Sequence, residues 1–281
     1  MAVLEITFHS PALRRTVPVT VILPTDKQMP GQKRYQNTAP YKTLYLLHGV
    51  FGSCYDWLHG TRVRALAQNA NLCVVMPSGD NKFYCDSPLT GDLYGRFIAE
   101  DLVSFVEASF PVSRRREDRF LAGLSMGGFG ATVNALRHPE TFGTVCGLSS
   151  AYIKNMILNA SDEPGKGLFT RAQYASMFGL SDVKDFPGSE NDYDFLARKA
   201  AKRKKKPVFY LCCGESDSLL DVNLAYRDLL LSLGYDVTWE QWPGDHNWVF
   251  WDQAIEKVIR WLPLGKSEKG VSSENVNVPK S

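Results

Sequence analysis

The sequence predicts an α/β fold, with a mostly parallel central sheet covered by helices on both faces. Two observations lead to this prediction. Short, almost continuously apolar runs recur along the chain, and segments with helical periodicity lie between them. A strand buried on both faces has no polar side, so such runs are typical of parallel sheets packed between helices.

The strands are predicted from the apolar runs and the turn residues that end them. Two edge-like strands come first, at 4–10 and 16–24, joined by a turn at Pro11, and a polar loop with Pro30 and Gly31 follows. Runs that are apolar throughout and stop at a turn residue indicate strands inside a sheet. These are predicted at 41–49, 71–77, 119–125, 144–150 and 207–214, with an alternating strand nearer the edge at 236–243.

Four helices are predicted between these strands. In the segment 94–110, for example, Ile98, Leu102 and Val106 fall on one helical face. The other predicted helices are 127–138, 220–234 and 248–262. Their apolar faces would cover the sheet.

Residues 151–206 interrupt the alternation, because they are mixed and polar and contain no clear buried strand. A long insertion in a compact domain is usually a functional lid or loop region, so we predict a cap over the C-terminal ends of the strands. Residues 1–150 and 207–263 then form the core, and the polar residues 264–281 are expected to be a disordered tail. The basic run 198–206 has no interleaved aromatic residues, which favours a solvated helix face over a nucleic-acid patch.

Composition and charge exclude several classes of protein. Of 281 residues, 44% are apolar and 22% charged, which are ordinary proportions for a globular protein. The net charge of +2 is too balanced for a protein dedicated to nucleic acid or to a membrane surface. No run approaches the roughly 20 apolar residues of a membrane-spanning helix, and the N terminus lacks a secretory signal pattern. The six cysteines show no CxxC spacing, which suggests reduced thiols in a cytoplasmic protein. A homo-oligomer is left open.

The most informative motif is the G-x-S-x-G at 123–127. It ends the predicted strand 119–125 and opens the predicted helix 127–138, so Ser125 would lie at a tight strand–turn–helix junction. At such a junction the Oγ is held above the sheet edge, and small neighbours are needed because Cβ atoms would clash. The motif alone would arise by chance in about one chain of this length in ten. Its context, a buried strand followed by a helix, indicates a nucleophilic serine.

A serine nucleophile needs a general base, and in this architecture the chain order is Ser, then Asp or Glu, then His. Two histidines follow Ser125 in the sequence, His138 and His246. His138 ends the helix that Ser125 begins, so it points away from the nucleophile. His246 lies in a loop between the last predicted strand and the last helix, and we predict that it is the base.

The base also needs a carboxylate to orient it. The loop after the strand 207–214 offers three, Glu215, Asp217 and Asp221. We predict Asp217, with Glu215 in reserve, because Asp221 lies near the start of the next helix, where a carboxylate satisfies free N–H groups. Asp245, next to the predicted base, is expected to support its loop.

Acyl transfer also requires donors for the developing oxyanion. In this architecture they are the backbone N–H after the nucleophile, here Met126, and one from the loop after an early strand, here 46–53. We predict Val50 as this second donor, with Phe51 in reserve. His48 is expected to support the loop through side-chain hydrogen bonds rather than to transfer protons.

With the segments LLHGVFGSCYDW, LAGLSMGGFGA, CCGESD and PGDHNWVFW, the chain resembles the esterase D-type branch of the α/β-hydrolases, and most of all its bacterial tributyrin-esterase and feruloyl-esterase-like members. The resemblance covers about residues 3–263, with the motifs in family order. It implies hydrolysis of small-molecule esters with short acyl chains or small aromatic acids, without a metal or an organic cofactor. By motif position it also implies the triad Ser125, Asp217 and His246 and the oxyanion donors Val50 and Met126.

Aromatic residues crowd the predicted site loops. We predict that four of them bind substrate: Phe51, Trp57, Tyr84 and Trp248. Trp251 is expected to lie in the core because the final helix carries it.

Other functions stay open at this point. S-formylglutathione hydrolases are relatives, but they typically carry His before the nucleophile, where this chain has Leu124. An acyltransferase would use the same triad and differ in how it excludes water. A non-catalytic binding protein of this fold would usually lack a triad member, and metal-dependent hydrolysis lacks the H-E-x-x-H pattern.

Overall fold

The computed structural model describes residues 1–27, 40–163 and 165–265. Most of the predicted polar loop, including Pro30 and Gly31, and the predicted tail from residue 266 onward lie outside the described residues.

A central sheet organises the described part of the chain. The strands are β1 (Ala2–Ser10), β2 (Arg15–Leu23), β3 (Lys42–Leu47), β4 (Leu72–Pro77), β5 (Asp86–Ser87), β6 (Asp92–Leu93), β7 (Arg119–Leu124), β8 (Thr144–Leu148), β9 (Val208–Gly214) and β10 (Val237–Trp242). Eight of them form one sheet in the order β1-β2-β4-β3-β7-β8-β9-β10, and β5 pairs with β6 separately. The pairs β1–β2 and β2–β4 are antiparallel, and the other pairs of the large sheet are parallel. The predicted mostly parallel sheet is confirmed, with β1 and β10 at its edges. The prediction that the second N-terminal strand is edge-like is wrong, because β2 pairs with β1 on one side and with β4 on the other.

Helices cover both faces of this sheet. They are α1 (Asp56–Gly60), α2 (Val63–Asn69), α3 (Tyr94–Arg96), α4 (Leu102–Ser109), α5 (Met126–Arg137), α6 (Lys154–Leu158), α7 (Arg171–Met177), α8 (Tyr193–Ala201), α9 (Leu220–Ser232) and α10 (Trp248–Trp261). A π-helical turn at Phe97–Asp101 joins α3 to α4, so the predicted helix 94–110 is one helical stretch with a local irregularity. No helix of the described ranges combines the length and the apolar character needed to cross a bilayer.

Alternate residues of each central strand feed two apolar clusters. On β3, Tyr45 packs into the cluster that contains Phe129 of α5, whereas Leu44 packs into the cluster that contains Ile255 of α10. Successive side chains of a strand point to opposite faces, so a strand that is apolar throughout must be covered on both sides. This arrangement brings the C-terminal ends of β3, β7, β8 and β9 to one edge.

Residues 151–206 carry the helices α6, α7 and α8 and no strand within their described part. Their buried aromatic side chains, including Phe178 and Tyr193, join the same apolar cluster as Phe129 of α5. In the basic run 198–206, most side chains are exposed at the end of α8 and in the turn beyond it. The run is exposed as predicted, but only its first four residues belong to a helix, and the lid role of the segment 151–206 stays a prediction.

Candidate active site

Ser125 forms a strained turn between β7 and α5. Its φ is 51° and its ψ is −117°, a conformation that costs energy for any residue with a Cβ. Backbone hydrogen bonds hold it there. The Ser125 N–H donates to the Leu148 carbonyl over 2.9 Å, and the Ser125 carbonyl accepts from the Ala151 N–H over 2.9 Å. The end of the neighbouring strand β8 therefore fixes the predicted nucleophile.

The glycines of the G-x-S-x-G motif are required by close backbone packing. A Cβ on Gly123 would lie 2.4 Å from the carbonyl carbon of Gly127, and a Cβ on Gly127 would lie 2.4 Å from the Leu47 oxygen. Backbone atoms cannot rotate aside as the end of a side chain can. The predicted need for small residues beside Ser125 is confirmed.

The structure brings Ser125, His246 and Asp217 into one hydrogen-bonded chain. His246 Nε2 lies 3.1 Å from Ser125 Oγ, and His246 Nδ1 lies 2.9 Å from Asp217 Oδ2. An ionised carboxylate can only accept, so the ring proton of the neutral imidazole belongs on Nδ1, and Nε2 can accept from the serine hydroxyl. The alternative carboxylates Glu215 and Asp221 are exposed, and neither is a hydrogen-bond partner of His246 in the described residues.

Asp217 is the most buried of these three hydrogen-bonded residues. The Asp217 side chain has no exposed surface, whereas that of His246 is 30% exposed. Burial alone would raise the pKa of the carboxyl, but the hydrogen bonds it accepts from His246, from the Leu219 N–H and from the Ser149 hydroxyl hold the pKa of Asp217 below its ordinary value. Asp217 therefore stays ionised at neutral pH.

Further contacts support the loop that carries His246. The His246 N–H donates to Asp245 Oδ1 over 2.7 Å, so Asp245 supports the loop as predicted. The Asn247 side chain caps α10 by accepting from the Phe250 N–H over 3.1 Å. Trp251 is buried, and its ring meets the His246 ring edge-on with centroids 4.9 Å apart. The imidazole is thus confined on one face by an aromatic wall.

The N–H groups of Val50 and Met126, the predicted oxyanion donors, have no acceptor among the described residues, and neither have those of Gly127 and Gly128 in the first turn of α5. Met126 is the first residue of α5, where N–H groups have no partner within the helix. The reserve donor Phe51 is engaged, because its N–H donates to Asn81 Oδ1 over 2.7 Å. Phe51 is thereby less suited to the role than Val50, and the assignment of Val50 and Met126 as oxyanion donors stays a prediction.

His48 supports this loop, as predicted. The Gly79 N–H donates to His48 Nε2 over 2.9 Å, so the ring proton lies on Nδ1, which donates to the Gly49 carbonyl over 2.7 Å. Burial lowers the pKa of His48 and keeps the ring neutral. Both ring nitrogens are occupied, which leaves none for proton transfer.

The four predicted substrate-binding side chains fall into two groups. Phe51 is 69% exposed and Trp248 is partly exposed, so both can meet a ligand. Trp57 and Tyr84 are 1% and 0% exposed, and both donate to backbone carbonyls at the end of β3, over 2.9 and 3.1 Å. The prediction that Trp57 and Tyr84 contact substrate is wrong for this structure, because a side chain without accessible surface can only support the residues around it.

The sequence analysis missed Asn81, which binds the Phe51 N–H, and Ser149, which binds the carboxylate of Asp217. Each follows the end of a central strand, β4 and β8 respectively, and that position was the available signal. Which strand ends are neighbours depends on the strand order, and the sequence does not reveal it. Within the described ranges, no group of three or more His, Cys, Asp or Glu could hold a metal ion.

Comparison with known proteins identifies the family of this chain. The Esterase family model, described as "Putative esterase", matches residues 10–262. An acetyl esterase of Caldicellulosiruptor saccharolyticus is 34% identical over 263 residues, which cover 93% of this chain and 98% of the relative.

Two solved structures from Staphylococcus aureus are similar over 93% of this chain and 98% of their own. One is FphF, a fluorophosphonate-binding serine hydrolase, with a TM-score of 0.79 and 31% identity. The other is an S-formylglutathione hydrolase, FrmB, with a TM-score of 0.79 and 30% identity. The chain belongs to the esterase family, has the α/β-hydrolase fold and is a carboxylic ester hydrolase.

Proposed function

We propose that this protein is a serine carboxylesterase that hydrolyses small-molecule esters with short acyl chains or small aromatic acids. The observation that carries the proposal is the chain from Ser125 through His246 to the buried Asp217, with donor–acceptor distances of 3.1 and 2.9 Å. These distances lie within the range in which a base can take the proton of a nucleophile.

The reaction proceeds through an acyl-enzyme in two halves. His246 Nε2 takes the hydroxyl proton while Ser125 Oγ attacks the ester carbonyl, and the N–H groups of Val50 and Met126 stabilise the oxyanion. The tetrahedral intermediate collapses, the C–O bond to the alcohol breaks, and His246 returns the proton to the leaving oxygen. Water then attacks the acyl-enzyme with His246 again as base, which releases the acid and restores Ser125.

Asp217 acts on the imidazole rather than on the substrate. Its carboxylate fixes the tautomer with the proton on Nδ1 and stabilises the imidazolium that forms at each proton transfer. The depressed pKa of Asp217 supports this role, because the negative charge persists at every pH at which the imidazole can act as a base.

Apolar side chains beside the predicted oxyanion donor support an apolar acyl group. Phe51, next to Val50, packs against Phe169 of the segment 151–206 with ring centroids 5.9 Å apart. The similarity to an acetyl esterase supports the short end of the acyl range.

Thioester hydrolysis is the second candidate, favoured by the similarity to an S-formylglutathione hydrolase. The residue that departs from that group's pattern, Leu124, is 2% exposed and packs beside Gly49. An apolar side chain with so little accessible surface packs inside the protein rather than against substrate, so this departure does not remove the candidate. Reduced thiols at all six cysteines support a cytoplasmic setting.

The test is hydrolysis of p-nitrophenyl esters from acetyl to octanoyl, with ferulate and a matched thioester, by wild type and Ser125→Ala. We expect turnover to peak at short acyl chains and to fall by at least about 10⁴-fold in Ser125→Ala. Ser216→Ala, which changes an exposed serine of the neighbouring loop, should retain full activity. Equal and weak activity in wild type and Ser125→Ala would overturn the proposal, and faster thioester than oxyester turnover would favour the second candidate.

A further inference from the structure

The residues that follow β4 fix the loop that carries the predicted oxyanion donor. We call residues 48–53 the oxyanion loop and residues 79–84 the clamp loop. Near the start of the oxyanion loop, the Gly79 N–H donates to His48 Nε2 over 2.9 Å, and the Tyr84 hydroxyl donates to the His48 carbonyl over 3.1 Å. Beyond Val50, the Phe51 N–H donates to Asn81 Oδ1 over 2.7 Å. The clamp loop therefore holds the oxyanion loop on both sides of Val50.

These contacts fix both peptide planes that flank Val50. The peptide that supplies the Val50 N–H has its carbonyl on Gly49, and this carbonyl accepts from His48 Nδ1 over 2.7 Å and from the Gly52 N–H over 3.3 Å. The next peptide supplies the Phe51 N–H, which Asn81 holds. Since a peptide unit is planar, fixing its carbonyl or its N–H fixes the whole unit.

The backbone conformation of Phe51 shows that the oxyanion loop is under strain. Its φ is 64°, in the left-handed region that a bulky residue rarely adopts without compensation. The bond to Asn81 supplies that compensation. An N–H can only donate, so the side-chain oxygen of Asn81 must face it, and the amide orientation is settled by chemistry.

We propose that Asn81 is a positioning residue for the oxyanion hole, an inference that rests on the proposed function. By accepting the Phe51 N–H, Asn81 holds the strained turn and keeps the neighbouring Val50 N–H in place for the oxyanion. Asn81 makes no hydrogen bond to the triad in the described residues. Its effect passes through the main chain to a group whose interaction strengthens only in the transition state, so it should change kcat and not KM.

The first variant is Asn81→Leu, which keeps a similar volume and removes the acceptor. We expect kcat to fall about 10- to 100-fold with KM within about twofold, less than the 10²–10³ that loss of a whole oxyanion donor costs. Asn81→Asp keeps an acceptor for the Phe51 N–H. Its log kcat should recover at least a third of the difference between Asn81→Leu and wild type. Arg96→Met breaks an exposed ion pair with Glu100, outside both loops, and should leave kcat unchanged.

Inhibition by a trifluoromethyl ketone tests the oxyanion hole directly. If Asn81 only stabilised the fold, the inhibition constant of this compound would not change in Asn81→Leu. Its tetrahedral adduct with Ser125 places an oxyanion between the same donors, so its inhibition constant should rise in Asn81→Leu by the factor by which kcat/KM falls. Rates are expressed per active site titrated with a fluorophosphonate, which removes any contribution from unfolded protein.

The outcomes separate this inference from the proposed function. A wild-type protein that neither hydrolyses esters nor reacts with the fluorophosphonate at Ser125 would overturn the proposed function. An active wild type with kcat unchanged in Asn81→Leu would overturn the role of Asn81 alone. An unchanged inhibition constant beside a reduced kcat would also overturn it, because the defect would then lie outside the oxyanion hole.

Discussion

Two loops approach Ser125, and they are fixed in opposite ways. The oxyanion loop is anchored through its main chain, with His48 only 1% exposed at its base. The loop of His246 is more open, with 30% of the His246 side chain exposed, and the ring is held by the buried carboxylate of Asp217. The difference follows from the atom that each loop presents. A backbone N–H can be aimed only by fixing the main chain, whereas one carboxylate can aim an imidazole.

The largest expected effect comes from Asp217, on the side where a single side chain holds the ring. Asp217→Asn should lower kcat by about 10⁴-fold, because the amide favours the wrong imidazole tautomer while the geometry is preserved. Steady-state kinetics on a short-chain p-nitrophenyl ester would measure it. Asp221→Asn, at an exposed carboxylate of α9, is the matched control and should change kcat less than twofold. A fall of less than tenfold in Asp217→Asn would contradict the assignment of the acid.

A smaller effect is expected on the other side, where the restraint is shared among several bonds. Tyr84→Phe removes the hydroxyl that donates to the buried His48 carbonyl and should lower the free energy of unfolding by about 1–3 kcal/mol. Urea denaturation would measure this change, and kcat should fall by only a fewfold because His48 and Asn81 still hold the loop.

Tyr174→Phe is the control for that experiment. Tyr174 is also a buried residue, but among the described residues its hydroxyl meets only the Met156 sulfur, at 3.7 Å, so its loss should cost less. Equal destabilisation by the two variants would show that Tyr84 contributes packing and not a clamp.

The smallest effect concerns pH. Burial lowers the pKa of His48, so between the ordinary histidine value of about 6.5 and the lower folded value, the unfolded chain binds a proton that the folded chain does not. The contribution of neutral His48 to the free energy of unfolding is therefore complete above about pH 6.5. It decreases as the pH falls, by no more than about 1.4 kcal/mol per pH unit.

Urea denaturation at pH 7.5, 6.5 and 5.5 would test this dependence in wild type and His48→Gln. Burial also lowers the pKa of His138, which contributes in the same direction in both proteins. The difference between the two slopes therefore isolates His48. Identical slopes would show that folding does not lower the pKa of His48.

The sequence was sufficient for those parts of the fold and site that depend on local pattern. Unbroken apolar runs predicted the central strands because burial on both faces leaves no polar positions. Ser125, Asp217 and His246 could be selected because each follows a strand, and the C-terminal ends of parallel strands meet at one edge. The triad distances agree with that selection.

Other features depend on contacts between distant segments. Trp57 lies in the short helix α1 and Tyr84 in a loop, and neither segment has a periodicity that distinguishes a pocket wall from a buried support. Asn81 reaches Phe51 because β4 lies beside β3, a neighbourhood set by the sheet order. The short helices α1 and α2, of five and seven residues, went unpredicted because helices of this length are stabilised by tertiary packing rather than by their own sequence.

The labelling rates of the six cysteines can report when different parts of the folded chain open. All six are buried and unpaired, and burial raises the pKa of each thiol, so a thiol reagent reacts only when the surrounding structure opens. Cys54 and Cys85 directly follow the oxyanion loop and the clamp loop, whereas the other four lie in central strands. The order in which they become labelled would therefore time the opening of the catalytic edge against the unravelling of the sheet, without a single engineered probe.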